Sequence, residues 1–103
     1  MSRTVNVGKT TALPAMYDTL TWQQRAVVRD RYVDLQENKC WYCKHQLDGP
    51  ATDYVQHLPI NLRLFPPGFL KNPIHLQHDH DTGLTEGAVH ARCNAVLWQY
   101  EGR

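Results

Sequence analysis

The sequence lacks a long hydrophobic run, and this absence excludes one class of protein. Its longest apolar stretch falls far short of the ~20 residues that a helix needs to cross a bilayer. No stretch near the start combines basic residues, an apolar segment and a small-residue cleavage site, so we expect no secretory signal. We therefore expect an intracellular, cytoplasmic protein with no membrane partner. The chain of 103 residues, 42% hydrophobic and 20% charged, has the composition of one small folded domain.

An excess of charge of one sign is also lacking. Eleven Lys and Arg residues against ten Asp and Glu give a net charge of +1, which neither favours nor excludes a nucleic-acid partner. Residues 1–47 carry seven basic and four acidic residues, whereas residues 48–103 carry four and six. If the partner is DNA, the first half is the expected side for phosphate contacts.

Cysteine is scarce, and its odd number excludes a complete set of disulfides. The three cysteines are Cys40, Cys43 and Cys93, and His90 precedes the last of them by three positions. The resulting C-x2-C and H-x2-C pairs supply the four ligands of a closed tetrahedral zinc site. A small domain with a thin apolar core often needs such a structural metal. We therefore predict a structural zinc.

Other interpretations of the cysteines stay open. A redox C-x-x-C motif belongs next to a βαβ pattern, which we do not find, and ordinary buried thiols are a further alternative. His45 or His57 could replace His90 as the fourth ligand. His90 is preferred because its spacing to Cys93 mirrors that of the first pair.

The first half of the chain predicts an arm followed by a helix. Residues 1–20 show no firm period and are predicted to be a partly ordered N-terminal arm. Thr21 with Gln24 forms a capping-box pattern, and the apolar pattern predicts a helix from Trp22 to about Glu37. The apolar stripe of this helix is expected at Trp22, Ala26 and Val33, flanked by Val27 and Leu35.

Arg25 and Arg29 lie one turn apart on this predicted helix. A solvated helix face is the simpler interpretation, and phosphate contact is the alternative.

The second half predicts a loop, a hairpin and a second helix. Five of the six prolines lie in residues 50–73, which predicts a long loop that packs across the domain, with a short strand over Ile60–Phe65. Ile74 to His80 and Thr85 to His90 are expected to form a β-hairpin, followed directly by a helix from Ala91 to Gly102. The first strand contains three histidines within six residues, interleaved with acidic residues, a pattern that favours metal or proton chemistry over solvated side chains.

These motifs together resemble the HNH endonucleases, of the phage recombination endonuclease VII type. The resemblance spans about residues 21 to 98. It is carried by Cys40-x2-Cys43, by His75-x2-His78-Asp79-His80, by Thr82-Gly83 and Gly87, and by Cys93-Asn94. It implies an α+β fold, in which a ββα-metal domain covering residues 21–103 follows the arm and carries a long Pro-rich insert at about residues 50–73.

The resemblance also implies roles for individual residues. His78 takes the place of the general base, and His80 would contact phosphate or orient the site. Asn94 takes the place of a ligand to a catalytic Mg²⁺ or Mn²⁺. Gln77 stands where the family has a second, acidic ligand to that ion, and His75 is a candidate DNA contact together with Arg25 and Arg29. His90 stands where the type has its third cysteine, and Glu86 stands where it usually has arginine.

The leading hypothesis is a metal-dependent endonuclease that hydrolyses DNA phosphodiester bonds, as a monomer or a homodimer. The alternative is an HNH-derived, zinc-stabilised DNA-binding or accessory module with weak or lost catalysis, which the Gln77 and Glu86 exchanges would favour. A zinc-dependent protein-interaction domain is a third class.

Overall fold

The computed structural model describes residues 12–102 and shows a small α+β fold. Within these residues there are three α-helices and a two-stranded sheet. The elements, in chain order, are α1 (Trp22–Leu35), α2 (Asp53–His57), β1 (Ile74–His78), β2 (Thr85–His90) and α3 (Ala91–Glu101). No helix in this part of the chain is both long and apolar enough to cross a membrane.

Helix α1 begins as the sequence predicts and ends slightly earlier. The Thr21 side chain accepts a hydrogen bond from the Gln24 amide, and the Gln24 side chain accepts one from the Thr21 amide, which confirms the capping box. The helix ends at Leu35 because Glu37 and Asn38 adopt left-handed backbone angles, with φ of 56° and 63°.

The predicted apolar stripe of α1 is partly wrong. Trp22 and Leu35 are 74% and 63% exposed, and Val28 is the buried side chain of this helix. Val33 packs against the core as expected. The error arises because α1 contacts the hairpin along a narrow strip, so few of its apolar residues can be covered.

Strands β1 and β2 form the predicted antiparallel hairpin, but β1 ends at His78 and not, as predicted, at His80, because the chain turns from Asp79 onward. Ile74 pairs with His90 and Gln77 with Gly87, but His78 pairs with Thr85 because Glu86 is an additional residue in β2. Such a bulge bends its strand and redirects side chains near it. The hairpin turn contains Gly83 at φ 79°, and a Cβ there would also meet the Met16 sulfur at 2.8 Å.

The second strand runs without a linker into α3, as the sequence predicts. Helix α3 ends at Gly102, whose left-handed conformation forms the C-cap. Its buried face, with Cys93, Val96 and Leu97, packs against Val89 of β2 in the central core. The helix thereby fixes the far end of the hairpin.

Residues 50–73 are packed against the domain, but the strand predicted over Ile60–Phe65 is wrong. Residues 60–65 instead contain a 3-10 turn, Leu62–Leu64. The turn begins where the Asn61 side chain accepts a hydrogen bond from the Arg63 amide. Prolines at 59, 66 and 67 bound the stretch, and proline disrupts strand pairing. Residues 53–57, predicted as loop, form helix α2.

Helix α3 holds residues 50–73 mainly through their backbone. The Arg92 guanidinium donates hydrogen bonds to the carbonyl oxygens of Val55, Gln56 and Leu58 at 2.9 to 3.2 Å. The Tyr100 hydroxyl donates one to the carbonyl of Pro59 at 2.6 Å. These bonds hold the backbone at the end of α2 and just beyond it, where helix carbonyl groups lack the amide partners of the helix interior.

The chain before α1 lies along the hairpin turn. The predicted arm falls partly on residues 1–11, which lie outside the described residues. From residue 12 onward, Ala15 is buried, and its backbone amide donates a hydrogen bond to the Thr85 hydroxyl at 2.8 Å. Met16 forms a bridge with Leu84, and the Tyr17 amide donates to the carbonyl of Gly83. This segment therefore places Tyr17 beside the histidines of β1.

Candidate metal centre and histidine groove

Four side chains from distant parts of the sequence form a potential metal site. Ligand atoms of Cys40, Cys43, His90 and Cys93 all lie within 4.8 Å of one another, and Cys40, His90 and Cys93 are buried. The His90 Nδ1 atom is 3.4 Å from the Cys43 sulfur and 3.6 Å from the Cys93 sulfur. Three thiols and an imidazole around one point are a donor set that suits a tetrahedral metal ion.

The surroundings of His90 leave Nδ1 available as a ligand. Its Nε2 atom is 2.7 Å from the carbonyl oxygen of Gln46. A carbonyl only accepts hydrogen bonds, so Nε2 carries the proton and Nδ1 presents its lone pair to the sulfurs. Metal-binding histidines commonly have their second nitrogen held in this way.

The backbone around Cys40 also favours a metal-binding thiolate. The amides of Tyr42 and Cys43 donate hydrogen bonds to the Cys40 sulfur at 3.4 Å. These bonds, together with a stronger contribution from the Cys93 thiol, lower the pKa of Cys40 to about 4. The same interaction with Cys40, together with burial, raises the pKa of Cys93. Cys40 therefore becomes a thiolate before Cys93 does.

The two halves of the cluster meet because the hairpin approaches the cysteine turn closely. The Trp41 amide donates a hydrogen bond to the carbonyl of Ala88. The Gln36 side chain exchanges hydrogen bonds with both backbone groups of Ala88, at 2.9 Å each. A Cβ on Gly87 would meet Gln36 at 2.6 Å and Trp41 at 2.8 Å, so only glycine fits there.

The two alternative histidine ligands lie outside the cluster. His57 is on α2, where its Nδ1 atom is 2.8 Å from the carbonyl of Asp53. His45 is exposed and does not belong to the four grouped residues. The structure thus groups His90 with the cysteines, in agreement with the spacing argument.

A second feature is an open groove beside β1, which we call the histidine groove. It consists of two adjoining depressions of about 500 and 270 Å³, and both are lined by Tyr17, Phe69, Leu76 and Asn94. The larger one also contains His75, Arg25 and Arg29. The smaller one contains His78 and His80. Apart from Gln77, the residues assigned from the resemblance to catalysis or DNA contact therefore line these two adjoining depressions.

His78 is stacked against Tyr17 in this groove. The two ring centroids are 3.9 Å apart with planes inclined by 11°, and the His80 ring lies 4.7 Å from the His78 ring. Burial lowers the pKa of His78, and the charges of His80 and Arg25 lower it further, against the opposing effects of Asp18 and Glu86. The ring is therefore neutral at pH 7.

Asn94 is oriented by His75. The Asn94 Nδ2 atom lies 3.0 Å from the His75 Nδ1 atom, and the amide nitrogen can only donate. This bond leaves the Asn94 amide oxygen for other partners. Burial lowers the pKa of His75, so its ring is neutral and can accept the bond. The His75 ring also contacts Phe69 edge-on at 4.8 Å.

Gln77 does not line the groove. It is 2% exposed, and its amide nitrogen donates hydrogen bonds to the His78 carbonyl at 2.9 Å and to a Glu86 carboxylate oxygen at 3.3 Å. The sequence placed Gln77 at the catalytic ion beside Asn94, whereas the structure separates the two. The bulge at Glu86 accompanies this arrangement.

The two arginines already have partners within the chain. Arg25 donates hydrogen bonds to the carbonyl of Tyr17 at 3.2 and 3.3 Å, and its guanidinium carbon lies 3.9 Å from the centre of the Tyr17 ring. Arg29 forms an ion pair with Asp30 at 3.1 Å. Both still line the groove.

Sequence reasoning missed Tyr17 and Phe69. Tyr17 lies in the segment that was assigned to a partly ordered arm, and Phe69 lies in a stretch that was assigned to a loop. Neither carries a local signal for its role, because both reach the groove through contacts with residues far away in the sequence.

No known protein family, curated protein or solved structure matches this chain.

Proposed function

We propose that the protein is a metal-dependent endonuclease of the ββα-metal type that hydrolyses phosphodiester bonds in DNA. The observation that carries this proposal is the histidine groove, in which Asn94 lines both depressions, His78 and His80 line the smaller one, and two arginines line the larger one. A hairpin that runs directly into a helix presents these groups. In this proposal, residues 50–73 are an insert into the ββα unit.

The cysteine–histidine cluster is proposed to hold a structural zinc ion. Its four ligands leave no open coordination position for a substrate, and three of them are buried. The cluster joins the turn after α1 to the junction of β2 and α3. It would therefore hold in place the hairpin and helix on which His78 and Asn94 are carried.

His78 would act as the general base. Its lowered pKa keeps the imidazole neutral near pH 7, so that it can accept a proton from a water molecule. The oxygen of that water forms a bond to phosphorus, and the bond from phosphorus to the 3′ oxygen breaks. The leaving oxygen takes a proton from solvent, which yields a 5′-phosphate and a 3′-hydroxyl.

The groove offers donor atoms to a catalytic divalent ion. The His80 imidazole and the amide oxygen of Asn94 would hold such an ion when substrate phosphate supplies the negative charge, which leaves His78 to act as the base. When bound, the ion would neutralise charge that develops on the phosphate and on the leaving oxygen. Imidazole donors favour Mn²⁺ over Mg²⁺. His75 would keep the Asn94 oxygen turned away from itself.

The decisive experiment is nicking of supercoiled plasmid DNA with added Mn²⁺ or Mg²⁺. His78→Ala should reduce the nicking rate by about 10² to 10⁴, with zinc content and melting temperature unchanged. The matched control is His57→Ala, since His57 is an exposed histidine outside the groove. Nicking that survives His78→Ala, or that falls equally in the control, would contradict the assignment of His78.

A DNA-binding module without catalysis is the second candidate, and the position of Gln77 favours it. With Gln77 buried, the family's acidic ligand has no counterpart in the groove. Folded, zinc-loaded protein that binds DNA but nicks none with either ion would establish this alternative.

A further inference from the structure

Each depression of the histidine groove is lined by a tryptophan. Trp22, 74% exposed, lines the larger depression, and Trp98, 40% exposed, lines the smaller one. Between them the Phe65 ring contacts both Trp98, at 5.4 Å, and Phe69, at 4.6 Å. Exposed indoles next to polar groups are typical of binding surfaces.

The groove has little permanent positive charge. Of the described residues that line it, Arg25 and Arg29 are the two with a guanidinium or an ammonium group. One of them holds the Tyr17 carbonyl and the other pairs with Asp30. Duplex DNA presents mainly its phosphates to a protein, so its affinity depends on neutralising several of them. Two engaged arginines supply little of that affinity.

We propose that this groove binds an unpaired segment of DNA, with bases stacked on the indole rings of Trp22 and Trp98. The inference rests on the proposed function, since it takes nucleic acid as the ligand and names its class. Unpaired bases expose the flat faces that a duplex keeps stacked on one another, and aromatic side chains recognise those faces whatever the sequence.

The helix geometry places these rings next to the groups that would act on the backbone. Trp22 stands three and seven positions before Arg25 and Arg29, on one face of α1. Trp98 stands four positions after Asn94 on α3, and both residues line the smaller depression. A strand that stacks on Trp98 would therefore lie in the same depression as His78, His80 and Asn94, and stacking on Trp22 would extend it along the larger depression.

The test is a binding measurement with a fluorescently labelled 12-nucleotide single strand and with the duplex of the same sequence, without added Mg²⁺ or Mn²⁺. We expect the single strand to bind at least about ten-fold more tightly. Its affinity should depend weakly on salt, with a log–log slope shallower than about −2, because at most two phosphates are neutralised. Duplex binding that equals or exceeds single-strand binding would overturn the proposal.

Variants identify the side chains responsible. Trp22→Ala and Trp98→Ala should each weaken single-strand binding by about five-fold or more, whereas Trp→Phe at either position should retain most of it. The control is Tyr54→Ala, which removes a 70% exposed aromatic outside the groove and should change nothing. Unchanged affinity in both tryptophan variants would contradict the proposal.

These outcomes are distinguishable from failure of the nuclease proposal. Binding is measured without cleavage, so a protein that prefers the single strand but nicks no plasmid keeps this inference and loses the catalytic one. A protein that nicks DNA but binds duplex more tightly keeps the catalytic proposal and loses this one.

Discussion

The cysteine–histidine cluster and the histidine groove both contain imidazole side chains. They differ in how far residues of the same chain supply the partners of their polar groups. In the cluster, every ligand faces the other three, and backbone amides and the Gln46 carbonyl support them from behind. In the groove, His78, His80 and Asn94 line an open depression, and their neighbours are aromatic rings. The comparison indicates that the cluster is a complete set of donors for a metal ion, whereas the polar groups of the groove stay open to a ligand from outside the chain.

The test with the largest expected effect is removal of the metal from the cysteine–histidine cluster. Structural zinc contributes about 10 to 16 kcal/mol in zinc-finger peptides, which equals or exceeds the whole stability of a typical small domain. Chelation, or Cys93→Ser, should therefore abolish cooperative thermal unfolding measured by circular dichroism. Zinc addition after chelation should restore the transition, and Mg²⁺ should not. An unchanged melting curve after verified metal loss would contradict a structural role.

The second test asks whether Gln77 belongs to the groove or to the interior. If it belonged to the groove, Gln77→Asp would supply the missing acidic ligand and raise nicking. Because Gln77 is buried beside Glu86, we expect the aspartate to bury a charge next to a carboxylate and to lower the unfolding free energy by roughly 1 to 3 kcal/mol. Urea denaturation measures the change, and Gln77→Asn is the uncharged control of equal length. A gain in nicking with unchanged stability would place residue 77 in the groove.

The third test concerns Tyr17, which supports His78 from a distant segment. Tyr17→Ala should lower kcat about two- to ten-fold, since ring pairs contribute about 0.5 to 1.5 kcal/mol, and should leave the zinc content unchanged. Tyr17→Phe keeps the stacked ring and should retain the wild-type rate. The measurement is nicking at saturating and at limiting DNA, because loss of positioning lowers kcat more than it raises KM. Equal loss in both variants would point to the hydroxyl and contradict a stacking role.

The smallest effect is a pH dependence that originates in the groove. The pKa values of His75 and His78 are lowered in the folded state, so below pH 6.5 the unfolded chain binds protons first. The unfolding free energy should therefore fall as pH decreases from about 6.5 through the lowered folded pKa values. Well above pH 6.5, these two histidines should not make the unfolding free energy depend on pH. His78→Gln should lose part of this slope in urea denaturation between pH 7.5 and 5.5, with the contribution of the cluster unchanged. An identical slope in the variant would contradict the lowered pKa.

Features of this fold that depend on residues close together in the sequence could be predicted from the sequence. The capping box at Thr21, the hairpin that continues into α3, and the helix end at Gly102 all follow from short patterns. The cluster was predictable for the same reason, because two ligand pairs with equal spacing require only that two tight turns meet.

Features that depend on tertiary contacts could not be predicted. The pleat of β1 does not reveal that Gln77 is buried, since a bulge at Glu86 changes the register next to it. Ile60–Phe65 alternates like a strand but pairs with no strand within residues 12–102, and its residues form a turn instead. Tyr17 reaches His78 only because Ala15 and Met16 pair with Thr85 and Leu84 at the turn end of the hairpin.

Arg92 has a consequence for how this domain can diversify. It holds the backbone of residues 55–58 by their carbonyl oxygens, which every amino acid supplies. The segment that follows contributes Phe65 and Phe69 to the groove, whereas Ala51 and Val55 belong to the core around the cysteines. Sequence change at Phe65 and Phe69 can therefore alter what the groove accepts without touching the core residues on which the metal cluster rests.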